Sequence, residues 1–415
     1  MKKFLAVLFW FFSLIIAIIY TYENPEKFDV IKNHFKKYTT SKIKVEKGPT
    51  QIVKSNSFYV KFSKIISLNA KTAFIVHEAK NSTFNENNLV IYTQNGYVIK
   101  NSKSEKLNLP DFFTIEKNGG IKTIFIHEEN EFALISSLKE KCFYASIILL
   151  NNSKEVFKTK CLPDEKIDYN GLGSSNIHYN NKIIMSIGAP EQISHKIAQL
   201  AQKDKSFFGK IIEIEKDDLN KVLLNEKNSL TPKIFTKGNR NPQGLTKIDD
   251  SIFSVEHGPR GGDELNIILK NKNYGWPIAS YGAKYSFDKS NHSYEVSHEN
   301  NDFEEPLFAL VPSVGISAVS KCPAKLNKYY KKPCLLALSL YGNELRPGRS
   351  IIIYLLNKEK NKIHSIEKIF LRDDLKLRHF VTNSRNELYE DKNGSIYISA
   401  DMKGIYRLSF INFIN

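Results

Sequence analysis

Several residue types and patterns are scarce in this chain of 415 residues, which has only 4 cysteines, 3 methionines and 2 tryptophans. Helical periodicity is almost absent, and the one helix-like stretch lies at about 191–205. An all-helical protein or a coiled coil is therefore excluded. None of the 10 histidines belongs to a His-Glu-x-x-His pattern, and no Cys/His spacing is typical of a zinc site.

An arginine-rich or aromatic-interleaved basic stripe is also missing, although the net charge is +16. The lysines are spread along the whole chain, and this distribution is typical of a solvated surface. The densest cluster consists of Lys32, Lys36, Lys37, Lys42, Lys44 and Lys47. We therefore do not expect nucleic acid as a partner.

One long uncharged run is present, and it lies at the N-terminus. Lys2 and Lys3 precede about 17 apolar residues at 4–20, close to the shortest length that spans a membrane. No small-x-small cleavage pattern follows, so residues 1–22 are predicted to be a signal anchor rather than a cleaved signal peptide. Residues 23–55 would form a linker and a lead-in strand. The predicted location is periplasmic, anchored to the inner membrane, with secretion as the alternative.

The four cysteines form two pairs along the chain. Cys142 and Cys161 flank a candidate hairpin whose turn contains their midpoint, and Cys322 and Cys334 flank a short insertion. An even number of cysteines in an exported chain is typical of disulfides, so two bonds are expected. Four free thiols remain the alternative.

Short strand-like runs recur along the chain, with Asn, Asp or Lys in the turns before them. They lie at 73–78, 132–137, 183–188, 252–257, 335–340 and 396–401. Six runs at this spacing predict an all-β fold, a six-bladed β-propeller over residues 56–415. Propellers collect functional side chains in loops at one end of the central channel, so the loops are where a site is expected.

Residues 238–277 differ from the lysine- and asparagine-rich background. Glycines at 258, 261 and 262 would let backbone carbonyls turn toward a ligand. Asp263 and Glu264 offer oxygen donors that suit Ca²⁺, and Arg240 and Arg260 offer planar guanidinium groups that suit carboxylates. The pattern indicates a site for an anionic ligand and a hard cation. A purely structural tight turn is the alternative reading.

The same segment resembles a known family. The string Glu256-His-Gly-Pro-Arg-Gly-Gly-Asp-Glu264, followed by Asn273-Tyr-Gly-Trp-Pro277, is similar to that of the soluble pyrroloquinoline-quinone (PQQ) dependent sugar dehydrogenases, the glucose/sorbosone dehydrogenase family. The resemblance is strong over 238–287 and weaker from about residue 165 onward. It implies a six-bladed propeller that oxidises an aldose or a related alcohol.

The resemblance also implies residue roles. The expected contacts of the quinone cofactor are Arg240, Asn241 and Tyr285. The expected calcium ligands are the carbonyls of Gly258 and Pro259, and for a second, structural ion Glu264 and Tyr274. In the family a histidine takes the proton of the sugar hydroxyl.

Several family positions carry other residues here. The catalytic histidine falls on Asn170, and asparagine cannot act as a general base near neutral pH. A family lysine falls on Tyr341, and the segment 384–387 with its single Arg385 replaces a pair of arginines. If the alignment shifts by a few residues, His178 or His379 would be the base.

Three functions therefore compete. The first is a PQQ- and Ca²⁺-dependent oxidoreductase acting on a sugar or related alcohol. The second is a propeller of the same family that has lost catalysis and binds a sugar, a glycan or a protein. The third, a calcium-dependent lactonase, is based on fold analogy alone. The substrate, the electron acceptor and the oligomeric state do not follow from these patterns.

Overall fold

The computed structural model describes residues 43–44, 48, 50–78, 84–163, 166–191, 194–285, 293–341, 350–371 and 375–414. They belong to a compact unit that runs from Lys42 to Asn415. The predicted anchor at 1–22 lies outside the described residues. Within the described residues, no helix has both the length and the apolar content to cross a membrane.

The first half of the chain supplies the following strands, numbered in chain order. Three strands come first: β1 (Ile43–Lys44), β2 (Thr50–Lys54) and β3 (Tyr59–Leu68). Blade 1 contains β4 (Thr72–His77), β5 (Leu89–Thr93), β6 (Tyr97–Lys100) and β7 (Lys103–Lys106). Blade 2 contains β8 (Ile121–His127), β9 (Asn130–Lys139), β10 (Cys142–Leu149) and β11 (Lys154–Lys158). Blade 3 contains β12 (Asn176–Tyr179), β13 (Lys182–Ile187), β14 (Lys210–Glu215) and β15 (Lys233–Lys237).

The second half completes the ring. Blade 4 contains β16 (Pro242–Ile248), β17 (Ser251–Glu256), β18 (Asp263–Ile268) and β19 (Phe308–Leu310). Blade 5 contains β20 (Ile316–Lys321), β21 (Cys334–Ser339), β22 (Ser350–Leu356) and β23 (Ile363–Phe370). Blade 6 contains β24 (Leu377–Phe380), β25 (Ser395–Ala400) and β26 (Gly404–Ile411), with β3 as its next strand and β1 and β2 paired to β3. The prediction of a six-bladed all-β propeller is confirmed.

The ring is closed by strands from both ends of the described chain. N-terminal β3 pairs antiparallel with C-terminal β26, and each innermost strand contacts the next, with β24 returning to β4. An apolar core lies between every pair of neighbouring blades among the described residues. Strands that are buried on both faces, such as β21, have continuous apolar sequences. The outer edge strand β7 is fully exposed and lysine-rich.

Short helices occur between some strands: α1 (His195–Ala198), α2 (Lys216–Leu223) and α3 (Ala324–Tyr330). The helix-like stretch expected at about 191–205 contains α1 and a 3-10 turn, Gln199–Gln202. Both lie between β13 and β14, so the stretch is an insertion between strands, as predicted. The Ser194 side chain caps α1 by accepting the N–H of Ile197.

The predicted repeat and cysteine pairs agree with the structure. The six strand-like runs fall one in each blade; five are second strands, and the run at 73–78 is the innermost strand of blade 1. Disulfides join Cys142 to Cys161 and Cys322 to Cys334, with Cα–Cα distances of 5.2 and 5.5 Å. No free cysteine remains, so the alternative of four free thiols is wrong.

Two ends of the propeller can be distinguished. The upper face is formed by loops that precede each innermost strand and loops that follow each second strand, such as 238–241 and 257–262. The lower face is formed by loops that follow each innermost strand, such as 381–394. The distinctive segment 238–277 therefore contributes to the upper face.

Candidate active site

Glu256 fixes the segment that carries Arg240. It is the last residue of β17, and its carboxylate accepts the Arg240 N–H at 2.6 Å and the side-chain amides of Asn239 at 3.3 Å and Asn266 at 3.0 Å. All four residues are buried. Burial raises the pKa of Glu256, and these hydrogen bonds oppose that shift. The start of blade 4 is thus held by a buried carboxylate.

Asp263 holds the glycine loop in the same way. One oxygen accepts the Gly258 N–H at 3.1 Å, and the other accepts the N–H groups of Val314 at 2.9 Å and Ile316 at 3.0 Å. A Cβ at Gly258 would lie only 2.2 Å from the Gly261 carbonyl oxygen. The loop therefore requires glycine at position 258, and Asp263 couples it to the first strand of blade 5.

The Arg240 side chain lies against this loop. Its Nη1 donates to the carbonyls of His257 at 3.2 Å and Gly258 at 3.0 Å, and its Cζ lies 5.0 Å from the Trp276 ring centroid. Its Nε lies 3.9 Å from the Glu191 carboxylate, and the side chain is only 7% exposed. A guanidinium so removed from water favours an anionic ligand strongly.

Asn241 connects blade 4 to the loop that precedes blade 3. Its Oδ1 accepts the Gly173 N–H at 2.8 Å, and its Nδ2 donates to the Asn170 carbonyl at 3.2 Å. The same Nδ2 lies 3.4 Å from His257 Nδ1. Asn170, the position predicted for the base, therefore lies beside a predicted cofactor residue, and its side chain is exposed.

The two backbone carbonyls that are proposed as calcium ligands each accept a hydrogen bond. The Gly258 carbonyl accepts from Arg240, and the Pro259 carbonyl accepts from the Tyr285 hydroxyl at 3.0 Å. The structure thus brings together Arg240, Asn241, Gly258, Pro259 and Tyr285, the residues that the sequence placed at the cofactor and its metal. Each carbonyl retains a second lone pair that a cation can use.

A recess beside this loop, about 230 Å³ with the open solvent at its mouth included, is lined by Glu256, Glu264 and Tyr274. Burial raises the pKa of Glu264 well above its ordinary value, and the charge of Glu256 adds to the shift. Asn266 donates to Glu264 at 3.1 Å, and the Tyr274 hydroxyl accepts the Leu269 N–H at 2.9 Å. A cation would relieve the cost of two buried carboxylates, so the residues fit the predicted structural calcium.

Side chains alone do not complete either calcium site. In the part of the chain that the structure describes, no group of three or more His, Cys, Asp or Glu residues is placed to share a metal ion. A calcium ion on the upper face would therefore depend largely on backbone carbonyls and water.

Cations also lie across the channel from Arg240, where we expected them to be lost. Arg378, on β24, forms a bidentate pair with Asp401, with Nε 3.0 Å from Oδ1. Lys122, on β8, donates to the carbonyls of Asn118 at 2.9 Å and Tyr169 at 2.7 Å. Burial lowers the pKa of Lys122 to about 7, and the charge of Arg378 contributes.

The segment that the sequence analysis aligned with the paired arginines therefore lies away from Arg240. The segment 384–387 follows β24 and belongs to the lower face, whereas Arg378 lies within β24 itself. An arginine on an innermost strand stands between core residues, and no short sequence motif identifies it. The run Leu377-Arg-His-Phe380 was the available signal.

The remaining candidate residues, His178, His379 and Tyr341, lie apart from one another. His178 lies at the lower face, too far along β12 to serve the upper loops. His379 Nδ1 lies 2.9 Å from Thr72 Oγ1, and burial lowers the pKa of His379 to about 3. Tyr341 is 53% exposed, and Lys376 Nζ lies 5.3 Å from its ring centroid.

Comparison with known proteins identifies the family of this chain. A model of the glucose/sorbosone dehydrogenase family matches residues 145–404. An aldose sugar dehydrogenase of Escherichia coli (strain K12) is 53% identical over 55 residues, which cover 13% of this chain and 15% of that protein. Quinoprotein glucose dehydrogenase B of Acinetobacter calcoaceticus is 27% identical over 170 residues, 39% of this chain and 34% of that protein. The chain thus spans only 15% and 34% of the length of these two relatives.

Solved structures share the fold. The soluble aldose sugar dehydrogenase of Escherichia coli in its apo-form has a TM-score of 0.62 at 19% identity, covering 87% of this chain and 99% of that one. The PQQ-bound aldose sugar dehydrogenase of Streptomyces coelicolor has a TM-score of 0.54 at 14% identity, covering 89% and 99%. Because the family model matches well over half of the chain, the protein belongs to the glucose/sorbosone dehydrogenase family.

Proposed function

We propose that the upper face binds PQQ together with Ca²⁺ and oxidises an aldose or a related alcohol in the periplasm. The observation that carries this proposal is the presence of cations on two sides of the channel mouth, Arg240 on blade 4 and Arg378 on blade 6. A ligand with several carboxylates needs cations from more than one direction.

The residues have distinct parts in this proposal. Arg240, Arg378 and Lys122 would bind carboxylates, Asn241 and Tyr285 would orient the cofactor, and the carbonyls of Gly258 and Pro259 would hold the metal. When bound, the quinone supplies the hydride acceptor, and the metal makes it more electrophilic. This arrangement uses the buried guanidinium of Arg240 where water is largely excluded.

A different residue must hold the proton of the sugar hydroxyl, because Asn170 cannot. We assign this part to His257, whose Nδ1 lies 3.4 Å from Asn241, the neighbour of Asn170. Burial lowers the pKa of His257 and so favours its neutral ring, the form that a proton acceptor needs, although it also weakens the ring as a base.

A second function is favoured by one observation, the asparagine at position 170. Without a base, the same pocket would bind a sugar, a glycan or a protein without oxidising it. The proposed membrane anchor at residues 1–22 would hold either form of the protein at the inner membrane.

Dye reduction tests the enzymatic proposal. The full-length chain is incubated with PQQ and Ca²⁺, and turnover is measured over a panel of aldoses and alcohols. We expect turnover that needs both additions, disappears with EDTA, is lost in His257→Gln and persists in Asn170→Ala. PQQ binding without any turnover would favour the second function, and neither binding nor turnover would refute the cofactor assignment.

A further inference from the structure

A second recess lies on the lower face of the propeller. It is formed by the lower ends of β12, β16 and β20 and by the loop after β24, and it encloses about 320 Å³, open solvent at its mouth included. The side chains that give it its character are His178, Thr246, Lys247, Ser320, Lys321 and Arg385. They come from four different blades, so the fold, and no local motif, brings them together.

The charges of this recess are unbalanced. Lys247, Lys321 and Arg385 have no carboxylate within 4 Å among the described residues. Glu387 is the one carboxylate of the described lining, and it accepts the Asn383 side-chain amide at 3.2 Å. Three cations that converge on one concave surface attract an anion more strongly than lysines scattered over a convex one.

His178 gives the recess a buried polar group with an unmet hydrogen bond. Its side chain lines the recess, the residue is only 8% exposed, and its Nε2 has no partner in the part of the chain that the structure describes. Burial lowers the pKa of His178 to about 4, and the charges of Lys216 and Arg385 contribute. A buried nitrogen without a partner carries a desolvation cost that a bound ligand would remove.

The recess is built on a fixed part of the channel. The Asn386 side chain, which also lines the recess, donates to the Asn176 carbonyl and so joins blade 6 to blade 3 across the channel. The residues around it are therefore held in place before any ligand arrives, which reduces the entropy lost on binding.

We propose that this recess binds a small oxyanion that carries a phosphate or carboxylate group. Lys247, Lys321 and Arg385 supply the charge, and His178 Nε2 with the hydroxyls of Thr246 and Ser320 supplies hydrogen bonds. An uncharged sugar would leave the cations unbalanced. The site is separate from the upper face, and it stands whether or not the upper face oxidises sugars.

Calorimetric titration of the full-length chain at low ionic strength tests the site, with inorganic phosphate in one arm and succinate in the other. We expect saturable binding of at least one of them with a stoichiometry of one, and the tighter arm identifies the chemical class. Lys247→Gln and Arg385→Gln should each weaken binding about tenfold, because each removes a charge-assisted contact. Bound anion should also raise the pKa of His178, measured by NMR of its ring nitrogens, with His178→Gln assigning the signal.

Lys233→Gln is the matched control, since it removes one charge from an exposed lysine of β15 outside the recess. It should change the affinity less than about twofold, because Lys233 does not line the recess. Non-saturable binding of both anions would overturn the proposal. So would an equal loss of affinity in the control, or a His178 ring that does not respond.

Discussion

The two walls of the upper face, each bearing an arginine, are held in different ways. On the blade-4 wall, residues 238–277, buried carboxylates accept backbone N–H groups and so shape the loops that present Arg240 and the Gly258 carbonyl. The opposite wall consists of Lys122, Arg378 and Asp401 with Lys71 of blade 1, whose charge acts on both Lys122 and Asp401. There a side-chain ion pair and lysine-to-carbonyl hydrogen bonds do the positioning. The first wall presents backbone groups to a ligand, and the second presents charge.

This difference has a counterpart along the chain. The blade-4 wall is contiguous, whereas the opposite wall draws its members from blades 1, 2 and 6, with more than 300 residues between Lys71 and Arg378. A wall formed by one contiguous segment can be recognised as a sequence motif. A wall assembled from distant segments cannot. Asn170, the position predicted for the base, lies between the two walls, in the loop that Asn241 contacts.

The largest expected effect is on the blade-4 wall. Asp263→Ala removes the acceptor of three N–H groups, two of them buried and one half-buried, so it should lower the free energy of unfolding by about 4 kcal/mol, since each unmet buried donor costs roughly 1–3 kcal/mol. Urea denaturation measures the loss. Asp249→Ala is the control, because Asp249 forms an exposed pair with Lys360 and should cost less than about 1 kcal/mol. Equal losses in the two variants would contradict the structural role of Asp263.

The next effect concerns the ion pair of the opposite wall. Arg378→Met leaves the Asp401 carboxylate, 3% exposed, without its cation, so we expect a loss of about 3 kcal/mol at pH 7. The double variant Arg378→Met with Asp401→Asn should recover most of it. Urea denaturation of both variants measures these changes. A double variant as unstable as the single one would show that the pair is not the cause.

The pH dependence of that loss has a definite sign. Burial would raise the pKa of Asp401, but the charge of Arg378 and its hydrogen bonds hold it below its ordinary value. A depressed carboxyl pKa contributes stability above the unfolded value of about 3.9, and this stability disappears as the pH falls through the folded value. The difference between the unmodified chain and Arg378→Met should therefore shrink below about pH 4.

The two walls also differ in how far the sequence could predict them. The propeller, both disulfides and the grouping of Arg240, Asn241, Gly258, Pro259 and Tyr285 were predictable, because strand patterning, cysteine spacing and a contiguous string are local signals. The opposite wall was not, because blade geometry alone brings Lys122 and Arg378 together. The segment 384–387 was aligned with the paired arginines of the family, and the structure places this segment on the lower face.

Asn170→His tests the base in the loop between the walls. If the family position is where a proton must be accepted, the variant should raise kcat by about 100-fold over the unmodified chain, within the usual range for a general base. Steady-state dye reduction with PQQ and Ca²⁺ measures it. The Asn170 side chain is exposed, so the substitution should fold normally, and Asn170→Gln serves as the control. Unchanged turnover in Asn170→His would favour His257 as the sole base.

The smallest effect concerns the recess behind the blade-4 wall. Burial raises the pKa of Glu264, and a carboxyl whose folded pKa is raised destabilises the fold progressively as the pH rises from its unfolded pKa toward that raised value. Without calcium, Glu264→Gln should therefore raise the free energy of unfolding at pH 7 by about 1 kcal/mol. Added calcium should stabilise the unmodified chain more than the variant, because the carbonyl site at Gly258 and Pro259 is the same in both. Thermal unfolding with and without Ca²⁺ measures both, and equal calcium responses would refute a metal role for Glu264.

The claim that two walls together form one cofactor site is tested most directly by absorbance titration of PQQ into the full-length chain, with Ca²⁺ or with EDTA. We predict saturable binding that requires Ca²⁺ and is weakened at least about tenfold by Arg240→Gln and by Arg378→Gln alike. Arg385→Gln, on the lower face, should bind PQQ as the unmodified chain does. Circular dichroism establishes that each variant is folded at the temperature used. Absence of calcium-dependent binding, or a loss in Arg240→Gln with none in Arg378→Gln, would contradict a site shared by the two walls.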